Sequence, residues 1–105
     1  MSTGAVFRAL ADESRRALLD RIFEKNGQTL GELCKGLQMS RQAVSKHLAL
    51  LEAANLVSTR KIGRKKLHFL NPVPIHDIAD RWIGKFERAR LDALAELKKQ
   101  VESTQ

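Results

Sequence analysis

Apolar residues recur at helical spacing through the first half of the chain, and the period shortens to about two after residue 55. Val6, Phe7 and Leu10 predict a short first helix over about residues 5–11. Asp12 stands where an N-cap belongs, ahead of a second helix over about 13–25 whose apolar face is Ala17, Leu18, Ile22 and Phe23. Asn26 and Gly27 tolerate positive φ and end it. Thr29 and Glu32 have the spacing of a capping box, in which hydroxyl and carboxylate each take one of the orphan amides. They open a third helix with Leu30, Leu33, Cys34 and Leu37 at i, i+3, i+4 and i+7. Ser40 caps a fourth helix over about 41–54, with an inner stripe of Val44, Leu48 and Leu51, and Asn55 is its left-handed stop.

Val57 to Lys61 and Lys66 to Leu70 then read as strands, and Ile62-Gly63-Arg64-Lys65 between them supplies the glycine a hairpin turn favours. Asn71-Pro72-Val73-Pro74 breaks the pattern. A long last helix over about 75–101 follows. The prediction is a mainly α fold with a small β-hairpin: a winged helix-turn-helix of five helices plus wing. One domain is expected over 1–105, with the helix-turn-helix at about 30–54, the wing at about 56–71 and a C-terminal helix at about 75–101. The sequence contains no internal repeat, linker or low-complexity segment.

Charge sharpens the picture. Formal net charge is +7 in 105 residues, and seven of the 19 Lys and Arg but one of the 12 acids fall within residues 40–70. Charge concentrated in one block is the electrostatic footprint of a nucleic-acid binder. The scarcity of aromatics, four Phe and one Trp with no Tyr, argues against an RNA binder that stacks bases. One cysteine, Cys34, permits no intrachain disulfide, and the N-terminal stretch lacks the basic and apolar regions of a signal peptide. No stretch approaches the roughly 20 apolar residues of a membrane span. A cytoplasmic protein with no membrane partner is expected.

Two short capped helices joined by a three-residue turn form a helix-turn-helix, whose second helix is the candidate reader. Arg41, Gln42, Ser45, Lys46 and Ala49 lie opposite its inner stripe. Gln and Arg make paired hydrogen bonds to base edges, whereas Lys and Ser suit phosphates or single acceptors. The basic hairpin (Arg60, Lys61, Arg64, Lys65, Lys66) has the composition of a wing that crosses the phosphate backbone. With Ser40 at the helix N-terminus, these are the expected contacts to double-stranded DNA. His47 lies beside the inner stripe and is assigned part structure, part contact to the DNA backbone; His68 is assigned to a solvated strand position. Taken alone, each set also fits an ordinary solvated surface.

The ordered series Phe7-Arg8-Ala9-Leu10-Ala11-Asp12-Glu13-Ser14-Arg15-Arg16, Leu30 to Leu37, Ser40 to Leu51, Leu56-Val57, Arg60 and Gly63-Arg64 resembles the arsenic-repressor (ArsR/SmtB) family of bacterial regulators. The resemblance covers about residues 5–72. It implies a winged helix dimer that represses transcription, with the first and last helices forming the interface. Asn55 stands where that family usually has Gly, and Glu13 where Pro is common; neither is incompatible with the local backbone. The implied interface is Val6, Phe7 and Leu10 with Ile78, Trp82, Ile83, Phe86, Leu94 and Leu97. At 1.5 Å per residue the last helix runs roughly 40 Å, longer than so small a domain can cover, so its stripe calls for a partner surface, and a second copy is the commoner choice.

Many members of the family hold metals. Their Cys-x-Cys pair falls on Cys34 and Gly36 here, so no thiolate pair can form, and one soft ligand does not hold a metal. His76, Asp77, Asp80 and Glu87 are fragments of the other familiar site, without a second downstream His. No metal or cofactor is therefore expected, and the effector is left unassigned. Cys34 lies on an apolar stripe, where a free thiol behaves as a small hydrophobe. No phosphate loop or nucleophile–base pair indicates an enzyme. A metal- or redox-responsive sensor of the same family, and a winged helix used for protein contacts, remain open at this point.

Overall fold

Local hydrogen bonding sets the helix boundaries. The computed structural model describes residues 3–103, with helices α1 (Thr3–Leu10), α2 (Glu13–Glu24), α3 (Leu30–Cys34), α4 (Arg41–Ala53) and α5 (Val73–Ser103) and strands β1 (Val57–Ile62) and β2 (Lys65–Leu70). The side chain of Asp12 caps α2 by accepting from Arg15 N at 3.0 Å. Thr29 and Glu32 form the full capping box of α3, with Glu32 N donating to Thr29 Oγ1 and Thr29 N to Glu32 Oε1, both at 3.2 Å. Ser40 Oγ accepts from Ala43 N at the start of α4, and Asn55, at φ 62°, stops that helix in the left-handed region.

Long cationic side chains close the C-termini. Arg15 donates through Nε to Ala9 O at 2.9 Å and through Nη2 to Arg8 O at 3.0 Å, and Arg16 Nη1 reaches Leu10 O at 2.6 Å. The last carbonyls of α1 thus meet two guanidinium groups, which also complement the negative end of the helix dipole. Arg21 does the same for α3, donating to Leu33 O and Lys35 O, and Gln28 Nε2 closes α2 at Arg21 O and Lys25 O.

The core is Leu18 and Ile22 of α2, Leu33 of α3, Val44, Leu48 and Leu51 of α4, and Leu56 beyond it, all but Leu48 with no exposure and Leu48 at 2%. The expected face of α2 needs correction. Ala17 is exposed, Phe23 is 71% exposed and Leu19 is buried instead. This helix contacts α1, α3, α4 and β2, and an element gripped from several sides buries the adjacent pair Leu18–Leu19 rather than one narrow stripe.

The hairpin is one residue longer at its tip than expected. β1 and β2 pair antiparallel from Val57↔Leu70 to Ile62↔Lys65, leaving Gly63 and Arg64 as a two-residue turn. Gly63 has φ +61°, the left-handed first central position that glycine favours in such turns. At the root, β2 meets the loop before α3. Gly27 N donates to His68 O at 2.8 Å and His68 N to Gln28 O at 2.9 Å. His68 is therefore not a solvated strand residue: it is 4% exposed, with Nδ1 2.9 Å from Gln28 O. A carbonyl only accepts, so Nδ1 carries the proton.

The breaker region yields to helix earlier than expected. α5 begins at Val73, whose N–H donates to Asn71 Oδ1, with Pro74 tolerated in its first turn. The chain divides into two compact units, one up to Ile75 and one from His76 onward. α5 has no buried residue over its 31 positions. Trp82, Ile83, Phe86, Leu91, Leu94, Leu97 and Val101 are each more than half exposed. No described helix is long and apolar enough to cross a membrane.

Candidate nucleic-acid interface

The helix-turn-helix and the wing enclose a cleft of about 520 Å³. One wall is α4, with Arg41, Ser45, Leu48, Ala49 and Glu52; the other is the hairpin, with Arg64, Lys65, Lys66 and His68; Thr29, Leu30 and Gly31 form the end. The α4 residues follow helical spacing, so Ser45, Ala49 and Glu52 share one face. Ala49 keeps that face low. Arg41 Nη1 reaches close to Gly31, 3.9 Å from where a Cβ would stand, an ordinary contact distance.

Five of the expected DNA contacts line this cleft: Arg41, Ser45, Arg64, Lys65 and Lys66. Gln42 and Lys46 are exposed on α4 outside it, and Arg60 and Lys61 are exposed on β1. Ser40 is exposed but commits its hydroxyl to the α4 cap. His47 has the structural part of the role expected of it. It is half-buried on the flank of α4 that faces α2, with Nδ1 3.4 Å from Arg15 Nη1. Guanidinium only donates, so this Nδ1 accepts. Arg15 also pairs with Asp12 Oδ2 at 3.9 Å, which makes Asp12, Arg15 and His47 one cluster tying the reader helix to the α1–α2 corner.

That cluster acts on Asp12. The hydrogen bond from Arg15 N holds its carboxyl below the ordinary carboxylate range against the opposing effect of burial, and the charge of Arg15 adds to the lowering. Glu32 is lowered too, first by its bond from the Thr29 amide and next by the Thr29 hydroxyl.

The ionisable lining residues outside the expected contacts are Glu52 and His68. Glu52 had a signal: it lies seven residues after Ser45 and three after Ala49, on the reader face. His68 had none, because the loop pairing that buries it joins residues 40 apart. Among the expected interface residues of α1, Val6 is corrected: at 3% exposure it belongs to this chain's own core, whereas Phe7 is 42% exposed and Leu10 half-buried.

The familiar metal positions have other duties. Gly36 has φ +76°, and a Cβ there would stand 3.2 Å from Arg21 Nη2. The backbone favours glycine where the second thiol of a pair would sit. Cys34 is a free, half-buried thiol. His76 Nδ1 lies 3.7 Å from Asp77 Oδ1, on two largely exposed side chains. Among the described residues no three His, Cys, Asp or Glu side chains are grouped to hold a metal ion.

A reader helix and a basic wing around one cleft define a DNA-binding transcriptional regulator rather than an enzyme. Residues 10–60 match the helix-turn-helix domain family. The chain is 38% identical over 85 residues to YuzN of Bacillus subtilis, an uncharacterized HTH-type transcriptional regulator, covering 75% of this chain and 92% of that protein. It is 34% identical to the arsenical resistance operon repressor of Escherichia coli, over 64% of this chain and 57% of that protein. An ArsR-like transcriptional regulator from Rhodococcus sp. RHA1 superposes with a TM-score of 0.73 at 32% identity, covering 90% of this chain and 91% of that one. The chain belongs to the arsenic-repressor (ArsR) family of winged helix-turn-helix regulators.

Proposed function

We propose that the protein is a homodimeric repressor that binds an inverted-repeat operator and blocks promoter access. The observation that carries this reading is the cleft between α4 and the wing, where a reader face and three wing cations, Arg64, Lys65 and Lys66, stand opposite one another. A duplex lying there meets base-reading groups on one side and phosphate-neutralising groups on the other. Arg41 and Gln42 at the start of α4 are the base readers, supported by Ser45 and Lys46; Arg60, Lys61, Arg64 and Lys65 hold the phosphate backbone. His47 supports the reader helix from behind.

The dimer rests on α5, whose exposed apolar stripe (Trp82, Ile83, Phe86, Leu94 and Leu97) has the character of an interface core, together with Ile78, Phe7 and Leu10. Two-fold pairing sets the two reader helices about one DNA turn, roughly 34 Å, apart on a palindromic site.

Selection of bound sites from a random duplex pool, followed by titration at several salt concentrations, tests the reading. An enriched inverted repeat bound by two chains supports it. Arg64→Ala is expected to weaken binding to every duplex and reduce the salt slope by about one, while Gln42→Ala costs about 1–3 kcal/mol and relaxes selectivity at one position. Failure to enrich any motif, or both variants binding like the parent, overturns it.

A further inference from the structure

Glu52 is the one carboxylate among the residues lining the cleft. It sits on the reader face of α4, beside the surface proposed to receive a polyanion. Its Oε1 is buried. What faces that oxygen is Lys66 Nζ of the wing, at 3.3 Å. The contact joins reader helix to wing across the cleft, between side chains 29% and 56% exposed respectively. A negative charge on a phosphate-binding surface opposes non-specific binding, and a wing lysine held by a carboxylate is withheld from phosphate. Both effects act alike on every sequence. They therefore lower the sequence-independent part of the affinity, which comes almost wholly from phosphate neutralisation. Contacts to base edges elsewhere on α4 are untouched, and a term common to every sequence cancels from the ratio of two affinities, so binding to operator and non-operator DNA falls together.

We infer that Glu52 sets the strength of DNA binding: by holding Lys66 across the cleft it withholds one wing cation from phosphate and lowers the affinity for operator and non-operator DNA alike. The inference rests on the DNA-binding face proposed above and adds a role for an acid that a simple basic footprint does not contain. Lys66 accordingly does not belong with the phosphate contacts of the resting protein, unlike Arg64 and Lys65 beside it.

The test uses the full chain, with the selected operator duplex and a mixed-sequence duplex of equal length as probes. Glu52→Gln keeps the shape and removes the charge. It is expected to tighten binding to both duplexes severalfold and to steepen the slope of log K against log salt by about 0.9 per chain, the value for one added phosphate contact. The ratio of operator to mixed-sequence affinity is unchanged. Lys66→Gln weakens binding to both duplexes, because the carboxylate then faces phosphate unpaired, and the double variant returns to the parent's slope. Thermal melting of each variant checks that the fold is kept, and the charge-swapped pair Glu52→Lys with Lys66→Glu supplies a second version of the contact if one single variant does not fold. An unchanged slope and unchanged mixed-sequence affinity in Glu52→Gln overturns the inference while leaving the DNA-binding reading intact. Selective loss of operator binding in that variant also overturns it, since Glu52 would then read a base. Absence of salt-dependent DNA binding in the parent itself is the distinct result that removes the reading underneath.

Discussion

Arg15 carries more of the architecture than its place on a polar helix surface announces. One guanidinium closes the end of α1, pairs with Asp12 and meets His47 of the reader helix. Lys at this position keeps the charge but loses the planar fork that reaches several acceptors together. Asp12, in the same cluster, and Glu32, in the capping box, both have lowered pKa values. A carboxylate more acidic in the folded than in the unfolded chain stabilises above its unfolded pKa, and that contribution is lost as pH falls through the folded value. The thermal midpoint is therefore expected to hold steady near neutral pH and to drop below about pH 4, the ordinary carboxylate range. Asp12→Asn together with Glu32→Gln is expected to flatten that acid limb, as calorimetry across the range will read; an acid limb identical to the parent's would assign the loss to other carboxylates.

At the scale of elements, capping signals were the most legible feature. Asp12, Thr29 with Glu32, Ser40 and Asn55 all act where their local sequence places them. These are contacts within three residues, and the information needed is local. Thr29→Ala is expected to cost about 1 kcal/mol of stability by removing the α3 cap, measured by urea unfolding; Glu32→Ala in the same assay tests the other half of the box. Closure of the C-termini by Arg15, Arg16, Arg21 and Gln28 was not legible, because each reaches a carbonyl that only the folded chain brings near. The same holds for Leu19 against Phe23. Both are apolar at plausible helical positions, and only the neighbours of α2 decide between them. His68 is the sharpest case, since strand alternation leaves a histidine's face open and the loop at Gln28 settles it.

For the whole molecule, the order of elements and the basic block were readable because periodicity and charge are properties of the chain itself. What escaped was Glu52, one acid amid cations, whose meaning depends on Lys66 from another element. The second copy proposed to cover α5 also belongs to this scale. Leu94→Glu combined with Leu97→Glu is expected to convert a two-chain species into single chains in sedimentation and to lower operator affinity by at least tenfold, about 1.4 kcal/mol. Retention of the two-chain species would place the contact elsewhere.

A helix of 31 residues with nothing buried has a consequence for quantity as well as shape. If its apolar stripe is covered only when two chains meet, assembly follows mass action, and apparent stability rises with the amount of protein present. Below the concentration at which chains pair, doubling the protein would then quadruple the form able to span a paired site. Occupancy of the operator would respond to dosage as a threshold, so that modest changes in synthesis or breakdown of the chain could turn a promoter on or off without any small molecule.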